Sequence, residues 1–158
     1  MKKVLVVMGS DSDLKVMEKC VDRLKSFDIP VEVRICSAHR TPAVAEQLAK
    51  NAAEEGFGVI IAAAGKAAHL GGVLAAYTTL PVIGVPMATS VMGGMDSLLS
   101  IVQMPKGIPV ATVAIDGADN AAILAAQMIA LSDEALAFKA DMAAEVTAKD
   151  EKVRAQFA

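Results

Sequence analysis

Both histidines of the chain, His39 and His69, stand in short loops of small and polar residues that follow apolar runs. In Ser37-Ala38-His39-Arg40-Thr41-Pro42 a side chain that titrates near neutrality sits beside a guanidinium able to fork onto phosphate, both just before a helix start. One residue can move protons while the next holds an anion. The plainer alternative makes His39 a hydrogen-bonded loop residue and Arg40 a solvated cation. Upstream, Gly9-Ser10-Asp11-Ser12-Asp13 offers a glycine, hydroxyls and free backbone N–H groups at another helix start, the ingredients of an anion site. Its aspartates suggest a division of labour: Ser10 and backbone amides take phosphate while Asp13 accepts hydrogen bonds from sugar hydroxyls. Here the competing account is that Ser10 or Ser12 merely caps the helix. A third loop, Ala64-Gly65-Lys66-Ala67-Ala68-His69, is small enough for backbone to approach a ligand or a second helix closely. His69 there reads either as a ligand contact or as a satisfied, half-buried histidine. Lys66 either pairs with an anionic substrate or is simply solvated.

These loops need a scaffold that gathers them, and the chain supplies one. Val4–Met8, Val31–Cys36, Val59–Ala63, Val82–Val85 and Val110–Ile115 are β-rich runs whose continuous apolar character predicts strands buried on both faces, as in a parallel sheet. Between the first two lies Asp13–Phe27, where Leu14, Met17, Val21, Leu24 and Phe27 recur at helical spacing while Lys15, Glu18, Asp22 and Lys25 face away. A second helix is predicted from the Thr41-Pro42 start, a cap followed by a residue suited to the first helical position, to near Gly56. Ala67–Tyr77, Asp96–Gln103 and Asn120–Leu131 supply further crossovers. The prediction is an α/β, three-layer, doubly wound domain with a five-stranded parallel sheet in flavodoxin-like order. Ser132-Asp133-Glu134 then opens a long C-terminal helix to about Arg154, so that the single domain 1–158 divides into a core of 1–131 and a helical extension of 132–158. In such a sheet the loops leaving the carboxyl ends of the strands share one edge, where ligands bind. The three loops above are of that kind, as is Pro86–Asp96 with its Gly93-Gly94 pair.

Composition narrows the function classes. A formal net charge of -3 and the lack of a Lys/Arg cluster interleaved with aromatics argue against nucleic acid. No apolar run reaches the roughly 18 residues of a membrane span, and the N-terminal apolar segment leads into Gly9-Ser10-Asp11 instead of a cleavage region, so a cytoplasmic protein is expected. The chain is 54% hydrophobic with nine Met and little aromatic bulk, which points to apolar surface covered by other copies of itself. Cys20 and Cys36 fall in no CxxC or paired ligand set, so reduced, buried thiols are expected and no metal. Gly65-Lys66 is not a Walker A lysine, since Gly58 is too far upstream and Ala67 replaces the magnesium-holding hydroxyl. Neither a GxGxxG fingerprint after a strand nor a G-x-S-x-G elbow occurs. The residues by themselves lead to a phosphorylated small molecule beside a histidine acid/base, and to no particular reaction.

Four stretches in unbroken order carry a resemblance that goes further: Gly9–Asp13, Ser37–Pro42, Ala67-Ala68-His69-Leu70, and Asp96-Ser97-Leu98-Leu99-Ser100-Ile101-Val102-Gln103-Met104-Pro105. Together they resemble the N5-carboxyaminoimidazole ribonucleotide mutase family, over residues 4 to about 131. The resemblance implies that Ser10, Asp13 and Arg40 bind the ribonucleotide, with Ser12, Ser37, Ala38 and Gly65 as neighbours, and that His39 is the catalytic histidine. It implies decarboxylation of the N5-carboxylated ribonucleotide, trapping of CO2, and recarboxylation at C4 of the aminoimidazole, a step of purine (IMP) biosynthesis. It requires neither metal nor organic cofactor. Gln103–Pro109 or Pro86–Asp96 could close over the site, and assembly as an octamer is implied. Family members usually read Gly-Gly-Ala-Ala-His-Leu-Pro-Gly where this chain has Gly65-Lys66-Ala67-Ala68-His69-Leu70-Gly71-Gly72, a looser turn with an added charge. A related class carboxylates aminoimidazole ribonucleotide directly with CO2 and typically carries lysine after the matching histidine. Arg40 favours the mutase over that alternative, and activity separates both from a non-catalytic ribonucleotide-binding domain.

Overall fold

The computed structural model describes residues 2–130 and 133–156, with side chains for 2–129 and 144–156. Five parallel strands, β1 (Lys3–Met8), β2 (Val31–Ile35), β3 (Phe57–Ala64), β4 (Val82–Pro86) and β5 (Ala111–Thr112), pair in the order β2-β1-β3-β4-β5. That is the flavodoxin-like order. Parallel neighbours cannot be joined by tight turns, and the crossovers are α1 (Leu14–Ser26), α2 (Pro42–Asn51), α3 (Leu70–Tyr77) and α4 (Met95–Val102), with α5 (Ala118–Ala130) and α6 (Asp133–Gln156) after β5. The Ser132 cap expected before α6 lies outside the described residues. Side chains 144–156 of α6 are exposed.

Alternation along the strands builds two cores. Val4, Val6 and Met8 of β1, with Val59, Ile61 and Ala63 of β3, pack under α1 and α5. Leu5 and Val7, with Ile60 and Ala62, pack on the opposite face under α2 and α3. Because both faces are covered, β1, β3 and β4 are apolar at nearly every position, as the unbroken runs predicted. Small residues set the spacing: Ala45 and Ala49 of α2 and Ala121, Ala122 and Ala125 of α5 are buried. Gly84 in β4 is obligatory for the same reason, since a Cβ there would lie 2.3 Å from Ile101 Cγ2 of α4. Arg23 of α1 forks onto Asp119 of α5, with Nε 2.8 Å from Oδ1 and Nη2 3.3 Å from Oδ2.

Several expectations are adjusted. Asp13 belongs to a short 3-10 turn, Asp11–Asp13, that precedes α1, and the buried face of the helix is Met17, Cys20 and Leu24, with Leu14 exposed. β2 is not buried on both faces: as an edge strand it leaves Val33 and Ile35 exposed. β5 pairs only through Ala111 and Thr112, against Ile83 and Gly84. Val113 N–H still donates to Gly84 O, but Asp116 turns the chain with a left-handed φ of 55°. Helix α2 stops at Asn51, and turns carry the chain to Gly56, whose φ of 88° suits glycine. Both cysteines are free and buried, and burial pushes the Cys20 thiol up to about 12, so it stays protonated in the core.

Candidate functional site

The loops after β1, β2, β3 and β4 line one cleft of about 660 Å³ at the carboxyl edge of the sheet. It lies where the topology reverses, β1 having β2 on one side and β3 on the other. Ser10, Ser12, Asp13, Ser37, Ala38, His39, Arg40, Gly65 and His69 all line it. Every residue singled out from the sequence as catalytic or binding is thus brought to one place.

The second loop is folded by its own hydroxyls. Thr41 precedes α2 but does not cap it with its side chain: Thr41 Oγ1 donates to Ser37 O and accepts from Ser37 N–H, each at 3.0 Å. Pro42 takes the first helical turn, where its missing N–H costs nothing. Ser37 Oγ accepts from Arg40 N–H at 3.2 Å and from Arg40 Nε at 3.4 Å, which aligns the guanidinium stem. Arg40 and His39 are both exposed to the cleft. Among the described residues no carboxylate pairs with Arg40. An exposed guanidinium without a counter-charge is suited to an incoming anion.

His39 and His69 meet. His39 Nε2 lies 2.9 Å from His69 Nδ1, with the ring centroids 5.0 Å apart and the planes at 74°. At that distance one nitrogen must carry the proton and the other accept it, so the two rings share a proton between them. They reach each other from the loops after β2 and β3, the two strands that flank β1. His69 is the residue that begins α3, its carbonyl accepting from Val73 N–H, so the helix start fixes its backbone. It is exposed, not half-buried.

In the first loop the capping account holds for the side chain. Ser10 Oγ accepts from Ser12 N–H at 3.3 Å and from Ser12 Oγ at 3.0 Å, and donates to Asp11 Oδ1 at 3.2 Å. Ser10 remains on the cleft wall, so capping and lining are both true of it. Asp13 is buried, and burial raises its carboxyl above the ordinary value; hydrogen bonds from Ser10 and Ser12 oppose this, and Asp116 and Asp11 reinforce it.

The fourth loop contributes more than the sequence reading assigned to it. Met87, Ala88, Thr89 and Ser90 line the cleft, whereas Gln103–Pro109, considered for closure, does not. Asp116 accepts from Ala88 N–H at 2.9 Å, and Thr89 Oγ1 donates to Asp96 Oδ1 at 2.8 Å. Ser97, fully buried on α4, accepts from Lys66 N–H at 3.0 Å and donates to Met87 O at 2.8 Å, tying the third loop to the fourth. The turn residues Asp116-Gly117 after β5 and a serine within an apolar helix were the available signals for these two supports.

Comparison with known proteins gives concordant results. The model of the family described as AIR carboxylase matches residues 3–151. The chain is 51% identical to the N5-carboxyaminoimidazole ribonucleotide mutase of Methanocaldococcus jannaschii, with 98% of this chain and 99% of that protein covered. It is 53% identical to the protein of the same name from Mycobacterium leprae, covering 94% of this chain and 90% of the relative. Among solved structures, PurE from Treponema denticola superposes with a TM-score of 0.75 at 31% identity, over 93% of this chain and 92% of that one. Among the described residues no helix is long and apolar enough to cross a membrane.

Proposed function

The chain belongs to the AIR carboxylase family, and from that membership we infer that it converts N5-carboxyaminoimidazole ribonucleotide to 4-carboxy-5-aminoimidazole ribonucleotide in purine biosynthesis. The observation that supports this chemistry best is the His39–His69 contact inside a cleft that also presents Arg40. Arg40, Ser10 and the backbone amides of the Gly9–Asp13 loop hold the phosphate, and Asp13 accepts from the ribose hydroxyls; Ser12, Ser37, Ala38 and Gly65 line the same cleft. His39 works on the base.

The reaction is an isomerisation and its balance closes on one proton. The bond between N5 and the carboxylate carbon breaks, the electron pair stays on nitrogen, and the His39 imidazolium gives that nitrogen a proton. The electron-rich C4 of the aminoimidazole then attacks the retained CO2, and His39 takes the C4 proton, which restores the imidazolium. His69, sharing a proton with His39, keeps the ring oriented between the two transfers. Closure of the Pro86–Asp96 loop, whose first residues already line the cleft, would hold CO2 between the steps. No oxidant, reductant or energy source enters this balance. Purified protein is therefore expected to turn over the N5-carboxylated substrate without ATP, metal or added bicarbonate, and to use aminoimidazole ribonucleotide only at high bicarbonate. Efficient use of the latter at ordinary CO2 levels would reassign it as a direct carboxylase.

A cytoplasmic homo-octamer is part of the same proposal. Apolar side chains support self-association: Val91 is 85% exposed, and Met92, Met95, Leu99 and Val102 follow at helical spacing with large exposed areas. This stripe runs on from the fourth loop, so copies packed on it would reach the cleft's rim. Light scattering on the purified protein is expected to give an octamer; a monodisperse monomer at micromolar concentration would contradict the assembly.

A further inference from the structure

Lys66 is in a conformation that its side chain does not favour. Its φ is 57°, in the left-handed region where a Cβ crowds the following carbonyl. Among the described residues the other non-glycine positions with positive φ are Asp28 and Asp116, and aspartate tolerates that region by hydrogen-bonding locally. Lysine has no such compensation. The surroundings hold it there: its N–H donates to the buried Ser97 Oγ, and its carbonyl accepts from Ala68 N–H at 2.9 Å and Ser100 Oγ at 3.4 Å. The strained residue lines the cleft, is exposed, and meets no carboxylate among the described residues. Strain fastened this firmly at a ligand site points to a role for the side chain.

The substrate reading above supplies two anionic groups, a phosphate and a carboxylate, and the cleft supplies two cations, Arg40 and Lys66. Arg40 shares its loop with the anion-binding helix start of α2. Lys66 shares its turn with His69, whose ring touches the histidine that exchanges protons with the base. We propose that Lys66 is a specificity-determining residue that pairs with the migrating carboxylate, so that the cleft prefers carboxylated over uncarboxylated ribonucleotide. The proposal rests on the ribonucleotide reading and extends it to a residue that reading leaves without a role. An ammonium suits this task because the carboxylate starts on N5 and ends on C4: a flexible point charge follows it, where a planar fork would fix one orientation.

Titration calorimetry on the intact protein with two stable ligands, the 4-carboxylated product and aminoimidazole ribonucleotide, isolates this contact. Lys66→Gln, one atom shorter, keeps a polar side chain and the backbone demand while removing the charge. It is expected to weaken the carboxylated product by roughly five- to twentyfold, the range for a partly exposed charge-assisted contact, and to leave aminoimidazole ribonucleotide unchanged. Lys66→Arg is expected to retain most of the preference. Equal weakening of both ligands would place Lys66 on the phosphate or ribose, and no change in either would make it a solvated lysine; both results overturn the proposal. Native protein that binds neither ligand overturns the ribonucleotide reading itself, whereas native protein that isomerises the substrate while Lys66→Gln keeps its preference removes only the lysine's role.

Discussion

Replacing His39 with asparagine is expected to lower turnover by a general acid/base factor of roughly 10²–10⁴ while ligand binding and assembly persist. Asparagine keeps polarity and approximate size at an exposed loop position, so the Ser37–Thr41 hydrogen bonds that shape the loop should survive. What is lost is a group that can accept and return a proton near neutrality. His69→Asn should fall less, by roughly tenfold, because asparagine can still hydrogen-bond His39 and hold it in place. Steady-state kinetics of the two variants beside calorimetric binding of the product separates the roles. Should His39→Asn keep near-native turnover while His69→Asn loses it, the acid/base assignment passes to His69; full activity in both would end the histidine mechanism.

Arg40→Ala should instead act on binding. The Arg40 guanidinium, aligned by Ser37 Oγ and without a carboxylate partner among the described residues, is proposed to fork onto phosphate, and charge-assisted hydrogen bonds of this kind are worth about 1.5–3 kcal/mol. Arg40→Ala is therefore expected to weaken product binding by roughly ten- to a hundredfold, with little change in thermal stability because the side chain is exposed. The corresponding nucleoside, which lacks the phosphate, should bind native protein about as weakly as the nucleotide binds the variant. Equal affinity of native protein for nucleoside and nucleotide would place the phosphate elsewhere.

The parts of this molecule that were legible in the sequence are those that local chemistry dictates. Unbroken apolar runs revealed β1, β3 and β4 because both of their faces are buried, and Thr41-Pro42 marked the start of α2. Given a parallel sheet, the polar loops had to share an edge, which pointed to the loops that line the cleft; the resemblance to the mutase family, not the topology, implied the individual roles of Ser12, Ser37, Ala38 and Gly65. Less legible was whatever depends on neighbours in space. β2 differs: Glu32 and Arg34 alternate with Val31, Val33 and Ile35, a local sign of a strand not buried on both faces that the reading of the run as continuously apolar passed over. The run Val110–Ile115 could not announce that Asp116 turns the chain and leaves a two-residue strand. Thirty positions separate His39 from His69, and only the strand order β2-β1-β3 brings their rings together. The left-handed conformation of Lys66 had one signal, the glycine that family members usually carry at this position, while the contacts that fasten it, from Ser97 and Ser100 on a distant helix, had none.

The central claim is that the carboxylate leaves nitrogen and rejoins carbon within one closed cleft, and isotope retention tests it most directly. Substrate carrying a heavy-carbon label in its N5 carboxylate, turned over by native protein in an excess of unlabelled bicarbonate, should give product that keeps the label at the C4 carboxylate. Product whose carboxylate carries the isotopic composition of the surrounding bicarbonate would contradict the account, since the carboxylate would then be drawn from solution and the chain would act as a carboxylase.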